Sequence, residues 1–505
     1  MRMSWEKLLS PDRLAQYGDR ESTARNSAFP DSSADTASGS FAGKKKLKKG
    51  GDLRTEFEKD YHRIIGSAAF RRLQDKTQVF ALDKSDFIRT RLTHSLEVSS
   101  FAKTLGQTIA QYILENGLDP EFTLQTKADI CDILMCAGLI HDIGNPPFGH
   151  FGEEAIRDWF RRRMKKLFFK GKPVAEWLTR QMLLDFMYFE GNAQALRQVT
   201  RLHFLVNENG MNLTSGLLNT IIKYPVSSEQ MNPKSSRISE KKMGFFYAEK
   251  ELYAEIAAKT GTYGVRHPLT FILEAADDIA YLTADIEDAY KKGFINLDLL
   301  KRELSGAVQK AQKARMPVDL DRLDPVRILE DQYAQGAAHG VTDPSLYAVQ
   351  NFVVRLQSIL LYCATYGFTS HYEQIMSGTW QHDVFYGTYA QWVTEALADI
   401  AYRNAFTSKQ IFTMEVSAFT ILNFLMDRFV PAVLNYDTDE PLGMMEGKMV
   451  ALISENYRQI YRYYSRKGCS EAEKLYLRIL LVTDFISGMT DTYAKDLYQK
   501  LNGIT

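Results

Sequence analysis

Cysteine is scarce in this chain of 505 residues, which has only four: Cys131, Cys136, Cys363 and Cys469. So few cysteines exclude a disulfide framework. Because no two of them form a C-x-x-C pair, zinc-knuckle and thioredoxin-like sites also lose support. We therefore expect a protein of the cytoplasm, which is a reducing compartment.

Net charge is absent as well, since 62 Lys and Arg balance 62 Asp and Glu. A zero balance argues against bulk attraction to nucleic acid or membrane lipid, so any anion must be bound by a local cluster of cations. The longest nearly apolar run, near residues 130–140, is too short to span a bilayer, and the first residues contain no apolar signal core. We expect no association with a membrane.

What is present is the composition of a globular protein, 45% hydrophobic and 25% charged. Residues 19–51 differ from the rest, because they are rich in Ser, Ala, Asp and Gly and end in a Lys-rich stretch. They contain few large apolar side chains, so we interpret residues 1–51 as an N-terminal segment with a flexible arm. A solvated linker is the simpler interpretation of the arm, and contact with nucleic acid or a neighbouring subunit is the alternative.

Helical spacing of apolar residues dominates the sequence after Leu53. The clearest helix covers residues 268–290, where Pro268 suits the first helical position and Gly293 follows the end. Similar amphipathic or apolar runs predict helices over residues 91–110, 130–143, 347–366, 386–404, 412–428, 447–465 and 471–486.

Strand signals are sparse, and the best candidate, residues 243–249 (MGFFYAE), suggests a short hairpin or else a loop. Residues 225–242 and 311–345 contain Pro, Gly, Ser and charges without a period, which predicts loops. The predicted fold class is therefore mostly α.

His141 and Asp142 stand where an apolar helix must end, because Pro146 and Pro147 follow closely and cannot continue it. At a helix end, an imidazole and a carboxylate from adjacent residues can both reach one ion. The negative partial charge of a helix C-terminus also favours a cation. A His-Asp pair is common by chance, and a helix-ending His beside a solvated Asp is its simpler interpretation.

Arg91 and His94 are three residues apart on a predicted helix, so the guanidinium and the imidazole share a face. A phosphate held by a metal ion on one oxygen and by Arg on another would use this pairing. A surface Arg and a hydrogen-bonded His form the simpler alternative.

The helix predicted over residues 268–290 has a polar face as well as an apolar one. This face carries Glu274, Asp277, Tyr281, Asp285 and Asp288. Most acidic faces are simply exposed to solvent. Here Tyr281 lies one turn from Asp277 and one turn from Asp285, which suits a sugar or base held above a metal site.

These candidates supply a possible ligand set of two imidazoles and two carboxylates, namely His94, His141, Asp142 and Asp277. Mixed nitrogen and oxygen ligation suits Mg, Mn, Fe, Co or Zn and does not select among them. Such an ion lowers the pKa of bound water and holds a phosphoryl group.

His150 and Glu153 are three residues apart, near the start of the next predicted helix. A His oriented by a Glu is typical of general acid–base catalysis near neutral pH. A His that caps its own helical turn is the alternative.

Longer motifs surround these residues. They are RTRLTHSLEV (89–98), HDIGNPPFGHFGE (141–153), FEGNAQALR (189–197), LEAADDIAYLTADIEDA (273–289) and DFISGMTDTYAKDLY (484–498). Together with residues 54–80, these motifs resemble the HD superfamily of metal-dependent phosphohydrolases and, within it, the deoxyguanosine triphosphate triphosphohydrolase (dGTPase) family. The resemblance covers roughly residues 52–505. Asn145 matches this family, whereas many other HD proteins have His at that position.

The resemblance implies a role for each matching residue. The metal ligands are His94, His141, Asp142 and Asp277, and the catalytic acid–base pair is His150 and Glu153. The implied metal is Mg or Mn, with Co, Fe and Zn left open. The implied substrate-binding residues are Gln78, Val79, Arg91, Asn192, Lys223, Tyr224, Tyr281, Asp285, Phe406 and Glu415.

Within that set, the resemblance places Arg91 on phosphate, and Asn192, Lys223 and Tyr224 near the triphosphate. It places Tyr281 against the deoxyribose, and Gln78 and Asp285 at the 3′-hydroxyl. The base is left to Phe406 and Glu415. A carboxylate can accept from guanine N1–H and N2–H₂ together, which adenine cannot offer.

The implied reaction is attack of water on the α-phosphorus of dGTP, which gives deoxyguanosine and inorganic tripolyphosphate. The implied architecture is an HD helical core over residues 52–300, with C-terminal helices over residues 301–505 that pack on it, complete the site and make oligomer contacts. The family also implies a homo-hexamer and a response to single-stranded DNA.

Three alternatives stay open on the sequence alone. The first is a triphosphohydrolase that acts on all dNTPs. The second is an HD nucleotidase or phosphodiesterase, and the third is a nucleotide- or DNA-binding regulator with an inactive site.

Overall fold

The computed structural model describes residues 2–14, 52–79, 88–203 and 208–504. The flexible arm predicted within residues 19–51 lies outside these ranges, and it stays a prediction.

Helices account for most of the described residues, so the predicted mostly-α class is confirmed. The first eleven helices are α1 Trp5–Leu8, α2 Glu56–Ile65, α3 Ala68–Arg72, α4 Arg91–Glu115, α5 Leu124–Ile140, α6 Gly149–Arg163, α7 Val174–Trp177, α8 Arg180–Met187, α9 Gly191–Thr200, α10 Ser215–Thr220 and α11 Lys250–Thr260. The next eleven are α12 Pro268–Lys291, α13 Leu297–Lys313, α14 Pro325–Ala338, α15 Pro344–Ser370, α16 Tyr372–Met376, α17 Gln391–Ala401, α18 Lys409–Val433, α19 Met444–Leu452, α20 Glu455–Ser465, α21 Glu471–Ser487 and α22 Asp491–Leu501.

Irregular helices and one small hairpin complete the described secondary structure. Short 3₁₀ turns occur at Leu73–Asp75, Met164–Lys166, Ile238–Glu240 and Tyr247–Glu249, and a π-helical turn follows α17 at Tyr402–Phe406. The hairpin pairs β1 (Phe168–Phe169) with β2 (Lys172–Pro173) in antiparallel register.

The first hydrophobic core forms around α4, α5, α12 and α15. Helix α12 follows its sequence pattern closely: Pro268 is the first residue, His267 caps it by accepting from the Leu269 amide, and Gly293 follows with a φ of 77°. Its buried stripe includes Ile272 and Ile279. Because one face of α12 is fixed by this stripe, its opposite face carries Asp277 toward α4 and α5.

An N-terminal segment, residues 2–14, is tied to the same core. The indole of Trp5 is buried and donates a hydrogen bond of 2.7 Å to the Tyr372 hydroxyl. Farther along, the Asp12 carbonyl accepts from the Ser215 amide, and Arg13 pairs with the buried Asp60. This part of the predicted segment 1–51 is therefore ordered against the core.

A second core joins α6–α9 to α18–α22. Its largest buried side chains include Trp159, Phe186 and Tyr476. Both cores contain residues from before and after position 300, and the division into residues 52–300 and 301–505 stays a prediction.

The strand suggested for residues 243–249 is wrong, and the loop alternative is correct. The segment makes a single extended contact, the Gly244 amide to the Val226 carbonyl, and ends in the 3₁₀ turn at Tyr247. Its apolar residues divide between the two cores: Phe245 is buried in the first core, whereas Met243 and Phe246 are buried in the second.

The loop predicted over residues 311–345 is wrong in its middle, where α14 forms. Asp324 caps this helix and Pro325 begins it. The buried face includes Gln332 and Gly336 as well as Leu329. An apolar pattern does not register Gln or Gly as core positions, so the helical period was hidden.

Helix α18 is the one helix of the described residues that is long and apolar enough to cross a membrane. Half of its most apolar window is buried inside the protein, with Leu425 and Phe429 in the second core. A core helix passes the same test of length and composition, so α18 is weak evidence for a membrane span.

Arg197 on α9 anchors a buried ionic network that joins α9 to α21. Its guanidinium donates to Asp484 at 2.7 Å and to Glu249 at 2.7 Å, and all three side chains are almost fully buried. If Arg197 were replaced by an apolar residue, the carboxylates of Asp484 and Glu249 would lose this cation while remaining in the protein interior, which solvates charge poorly.

We expect Arg197→Met to lower the free energy of unfolding by about 3–5 kcal/mol, because it removes the cation that pairs with both Asp484 and Glu249 in the protein interior. Urea denaturation followed by circular dichroism measures this change. The control is Arg327→Met, which removes an exposed ion pair of 3.9 Å and should change stability by less than about 1 kcal/mol. Equal effects of the two substitutions would contradict the analysis.

Candidate active site

Two histidines meet because α4 and α5 approach each other unusually closely. A Cβ atom at Gly138 on α5 would lie 2.5 Å from the Cα atom of Ser99 on α4, so only Gly fits. Near this contact, His94 on α4 and His141 at the end of α5 have ring centroids 5.3 Å apart. Both side chains are about 1% exposed.

Two carboxylates complete the cluster. Asp142 follows His141 in the turn after α5, and Asp277 comes from α12. The Oδ1 atom of Asp277 lies 3.1 Å from His94 Nε2 and 3.4 Å from His141 Nε2. The possible ligand atoms of His94, His141 and Asp142 all lie within 4.8 Å of one another, so these three residues could hold a metal ion.

The hydrogen bonding of the two ring nitrogens of His141 tests whether the cluster fits a cation. Its Nδ1 atom donates to the Gly138 carbonyl at 2.7 Å, which fixes the ring and leaves Nε2 as a lone-pair donor. This Nε2 atom is buried and has no hydrogen-bond partner. A buried polar atom of this kind requires an explanation, and a divalent ion beside two carboxylates supplies one.

Cations surround the carboxylates of the cluster. Arg91 donates to Asp142 Oδ2 at 2.5 Å, and Lys223 donates to Asp277 Oδ2 at 2.8 Å. Burial by itself would raise the pKa of both carboxyls, but these cations and the neighbouring histidines hold each pKa well below its usual range. Both aspartates are therefore ionised at neutral pH, the form that binds a metal ion.

His150 and Glu153, the predicted acid–base pair, lie on the first turns of α6. Glu153 is 1% exposed and accepts from His150 Nδ1 at 2.9 Å, from the Gly191 amide at 2.7 Å and from Arg157 at 3.2 Å. Burial opposes its ionisation, yet the hydrogen bond and charge of His150, with Lys242 and Arg157, lower the pKa of Glu153 to about 2. The ionised carboxylate orients an imidazole that is 81% exposed.

One cavity of about 410 Å³ joins the metal cluster to this pair. Of the residues singled out in the sequence, it is lined by Gln78, Val79, Arg91, Asp142, His150, Glu153, Asn192, Lys223, Tyr224, Asp277, Tyr281, Phe406 and Glu415. The chain positions of these residues span almost 340 residues, so folding gathers them into one site.

Three of the predicted site residues do not line the cavity. His94 and His141 are buried and contact Asp277, which does line it. Asp285 is buried on α12 and hydrogen-bonds with the Tyr281 hydroxyl. Burial, together with the charge and hydrogen bond of Asp285, raises the pKa of Tyr281 well above its usual range. The Asp285 Oδ2 atom has no partner.

Sequence reasoning missed several residues of the cavity wall. They are Phe148, Phe151, Glu190, Lys242, Asp278, Tyr402, Thr407 and Phe412. Lys242 matters most, because it adds a third cation to the wall beside Arg91 and Lys223 and is held by Glu190 at 3.1 Å. It lies in a segment without periodicity, so no sequence pattern distinguished it from a solvated lysine. Glu190 was visible only as part of a quoted motif. Asn145, noted in the sequence only as a match to the family, also lines the cavity.

The cavity thus combines three kinds of chemistry. Carboxylates and imidazoles at one end suit a divalent ion, and three cations suit a polyanion such as a phosphate chain. Aromatic side chains, among them Tyr281, Phe406 and Phe412, provide flat apolar surfaces suited to a sugar or base.

Comparison with known proteins agrees with this geometry. The family model described as HD domain matches residues 91–216, which run from α4 to α10 and include His94, His141, Asp142 and His150. A deoxyguanosinetriphosphate triphosphohydrolase-like protein of Listeria monocytogenes is 42% identical over the full length of both chains.

More distant relatives extend the similarity. A probable deoxyguanosinetriphosphate triphosphohydrolase of Pseudomonas aeruginosa is 32% identical over 90% of this chain and 94% of its own. The deoxyguanosinetriphosphate triphosphohydrolase of Klebsiella pneumoniae is 30% identical over 90% of this chain and 95% of its own. This chain therefore belongs to the deoxyguanosine triphosphate triphosphohydrolase family of HD-domain proteins.

Proposed function

We propose that this protein hydrolyses dGTP to deoxyguanosine and inorganic tripolyphosphate, by attack of water on the α-phosphorus. The observation that carries the proposal is a single cavity that holds candidate metal ligands, the His150–Glu153 pair, three cations and several aromatic side chains. A phosphate chain, a sugar and a base each find suitable chemistry there.

The proposed metal ligands are His94, His141, Asp142 and Asp277. When bound, the ion would supply a Lewis acid for a phosphate oxygen and lower the pKa of water. Mg²⁺ or Mn²⁺ suits the two carboxylates best, although imidazole ligands also accept Co, Fe or Zn.

The chain's own residues would bind and orient the nucleotide. Arg91 and Lys223 lie against Asp142 and Asp277, two of the proposed metal ligands. Both cations are therefore beside the position that the α-phosphate would take next to the ion. Lys223, Tyr224, Lys242 and Asn192 line the adjoining wall, in reach of the rest of the triphosphate.

The nucleoside end would be recognised by the remaining wall. Tyr281 would pack against the deoxyribose, and the crowding excludes a 2′-hydroxyl. Gln78, whose Oε1 atom is buried without a partner, would meet the 3′-hydroxyl. Asp285, which does not line the cavity, would act there only through the Tyr281 hydroxyl, with which it hydrogen-bonds. Val79, Phe406 and Glu415 would surround the base.

His150 is proposed as the general acid that protonates the departing 5′-oxygen. Glu153 accepts from Nδ1 of His150 at 2.9 Å, which orients the ring and leaves Nε2 as the nitrogen that would transfer the proton. The alternative, in which His150 orients the attacking water, is open to a direct test below.

Family resemblance also supports a cytoplasmic homo-hexamer that can respond to single-stranded DNA. Exposed apolar side chains on α15, at Val354, Tyr362 and Tyr366, are compatible with a subunit contact.

We expect purified protein with Mg²⁺ or Mn²⁺ to convert dGTP into equal amounts of deoxyguanosine and tripolyphosphate, measured by ion-exchange chromatography. Among the four dNTPs, dGTP should react fastest, because the Glu415 carboxylate pairs with groups that only guanine offers. Orthophosphate or pyrophosphate as product would overturn the proposal. Equal rates for all four would favour a broad dNTP triphosphohydrolase, and hydrolysis of dGMP would favour a nucleotidase.

We expect Mn²⁺ alone, without nucleotide, to raise the melting temperature of the protein. An ion at 100 times its Kd stabilises the folded state by about 2.7 kcal/mol. His141→Ala should abolish this shift, since it removes a ligand atom from the cluster. The control His339→Ala, which removes an exposed histidine, should keep it. Shifts of equal size in both variants, measured by differential scanning fluorimetry, would refute the metal assignment.

We expect His150→Ala to lower kcat for dGTP by about 10²–10⁴-fold, the usual contribution of a general acid. A dGTP analogue with sulfur in place of the 5′-oxygen releases a thiolate, which needs no proton. On this analogue the loss should be less than tenfold. An equal loss on both substrates would instead assign His150 to orienting water.

A further inference from the structure

Asp491, the first residue of α22, is 1% exposed although it belongs to the last helix of the chain. Its Oδ1 atom accepts from the Phe148 amide at 2.8 Å. Its Oδ2 atom accepts from the amide and the hydroxyl of Thr77, at 3.0 and 2.6 Å. One carboxylate therefore joins two segments that are 71 residues apart in sequence.

The two segments that Asp491 joins are each followed in sequence by a residue of the cavity wall. Thr77 precedes Gln78, which lines the cavity, and Phe148 immediately precedes α6, whose second residue is His150. Asp491 itself does not line the cavity. It acts on the site only through the backbone that it holds.

The turn at Phe148 needs such support. Phe148 has a φ of 64° and Gly149 a φ of 58°, and a left-handed backbone is unfavourable for a side chain as large as Phe. Phe148 is also the N-cap residue of α6, and its side chain makes no capping hydrogen bond. The bond from the Phe148 amide to Asp491 therefore fixes the direction in which α6 begins, and with it the position of His150.

Lys76 holds the preceding part of the same turn. Its ammonium group is buried and donates to the carbonyls of Asn145 at 2.5 Å and Ser487 at 2.7 Å. Its own carbonyl accepts from the Arg91 amide at 2.9 Å, where α4 begins. The junction of α21 and α22 is thus connected to the turn between Asp142 and His150.

We propose that Asp491, assisted by Lys76, is a positioning residue that sets the location of His150 relative to the bound substrate. This inference rests on the proposed function for its kinetic readout. The metal cluster is built by α4, α5 and α12, so loss of the Asp491 contacts should affect proton transfer more than metal binding.

The decisive variant is Asp491→Asn, which replaces one of the two acceptor oxygens by an NH₂ donor, so that the amides of Phe148 and Thr77 can no longer each donate to their own oxygen. We expect kcat for dGTP to fall at least tenfold, because a displacement near 1 Å in a catalytic group costs up to about 10²-fold. The Mn²⁺ concentration that gives half of the thermal shift should change less than threefold.

The matched control is Asp185→Asn. Asp185 is also a buried carboxylate with three hydrogen bonds, from Ser228, the Tyr247 amide and Tyr476, but it lies on α8 away from the cavity wall. This variant should lose stability and keep kcat within twofold of the wild type. The proposal is overturned if Asp491→Asn keeps wild-type kcat, or if Asp185→Asn lowers kcat as much.

Hydrogen exchange provides a readout that does not need activity. In Asp491→Asn, exchange should accelerate in peptides covering residues 146–152, and in Asp185→Asn it should not. If Asp491→Asn does not fold, Thr77→Val, which removes only the hydroxyl bond, takes its place, with a threefold fall in kcat as the threshold. An inactive wild type would refute the proposed function alone, and unchanged exchange in Asp491→Asn would refute the positioning role of Asp491 alone.

Discussion

The contact between α4 and α5 at Gly138 is the constraint on which the site depends. Any side chain there would collide with the backbone of Ser99, and the two helices would have to separate. His94 and His141 would then move apart, although neither residue had changed. The absence of one Cβ atom thus brings two imidazoles into reach of a common ion, with Asp277 arriving from α12 across the same core.

Charge balance is the second condition. Asp142 and Asp277 are ionised in a mostly buried setting because Arg91 and Lys223 lie against them, with the neighbouring histidines. The same two cations face the cavity, where a phosphate chain would bind. Their positions therefore serve both the stability of the ligand cluster and the binding of a polyanion.

The cavity lies where the two hydrophobic cores meet. α4 and α12 of the first core contribute Arg91, Asp277 and Tyr281, whereas α6 and α18, which pack in the second core, contribute His150 and Glu415. The relative position of the proposed metal ligands and the proposed acid–base pair therefore depends on the contact between the two cores. Asp491 lies on this contact, which explains how a residue of the last helix can influence the catalytic turn.

The sequence by itself determined the helical class and the bounds of α12 to within a residue, because helical periodicity and Pro or Gly positions are local signals. It did not reveal α14, whose buried face uses Gln332 and Gly336, or the loop at residues 243–249, whose apolar residues divide between two cores. Only the tertiary structure decided that Lys242 lines the cavity, that Asp285 lies beyond Tyr281 and that Asp491 holds Phe148. These contacts join residues distant along the chain, and no local pattern of side chains encodes which of them will meet.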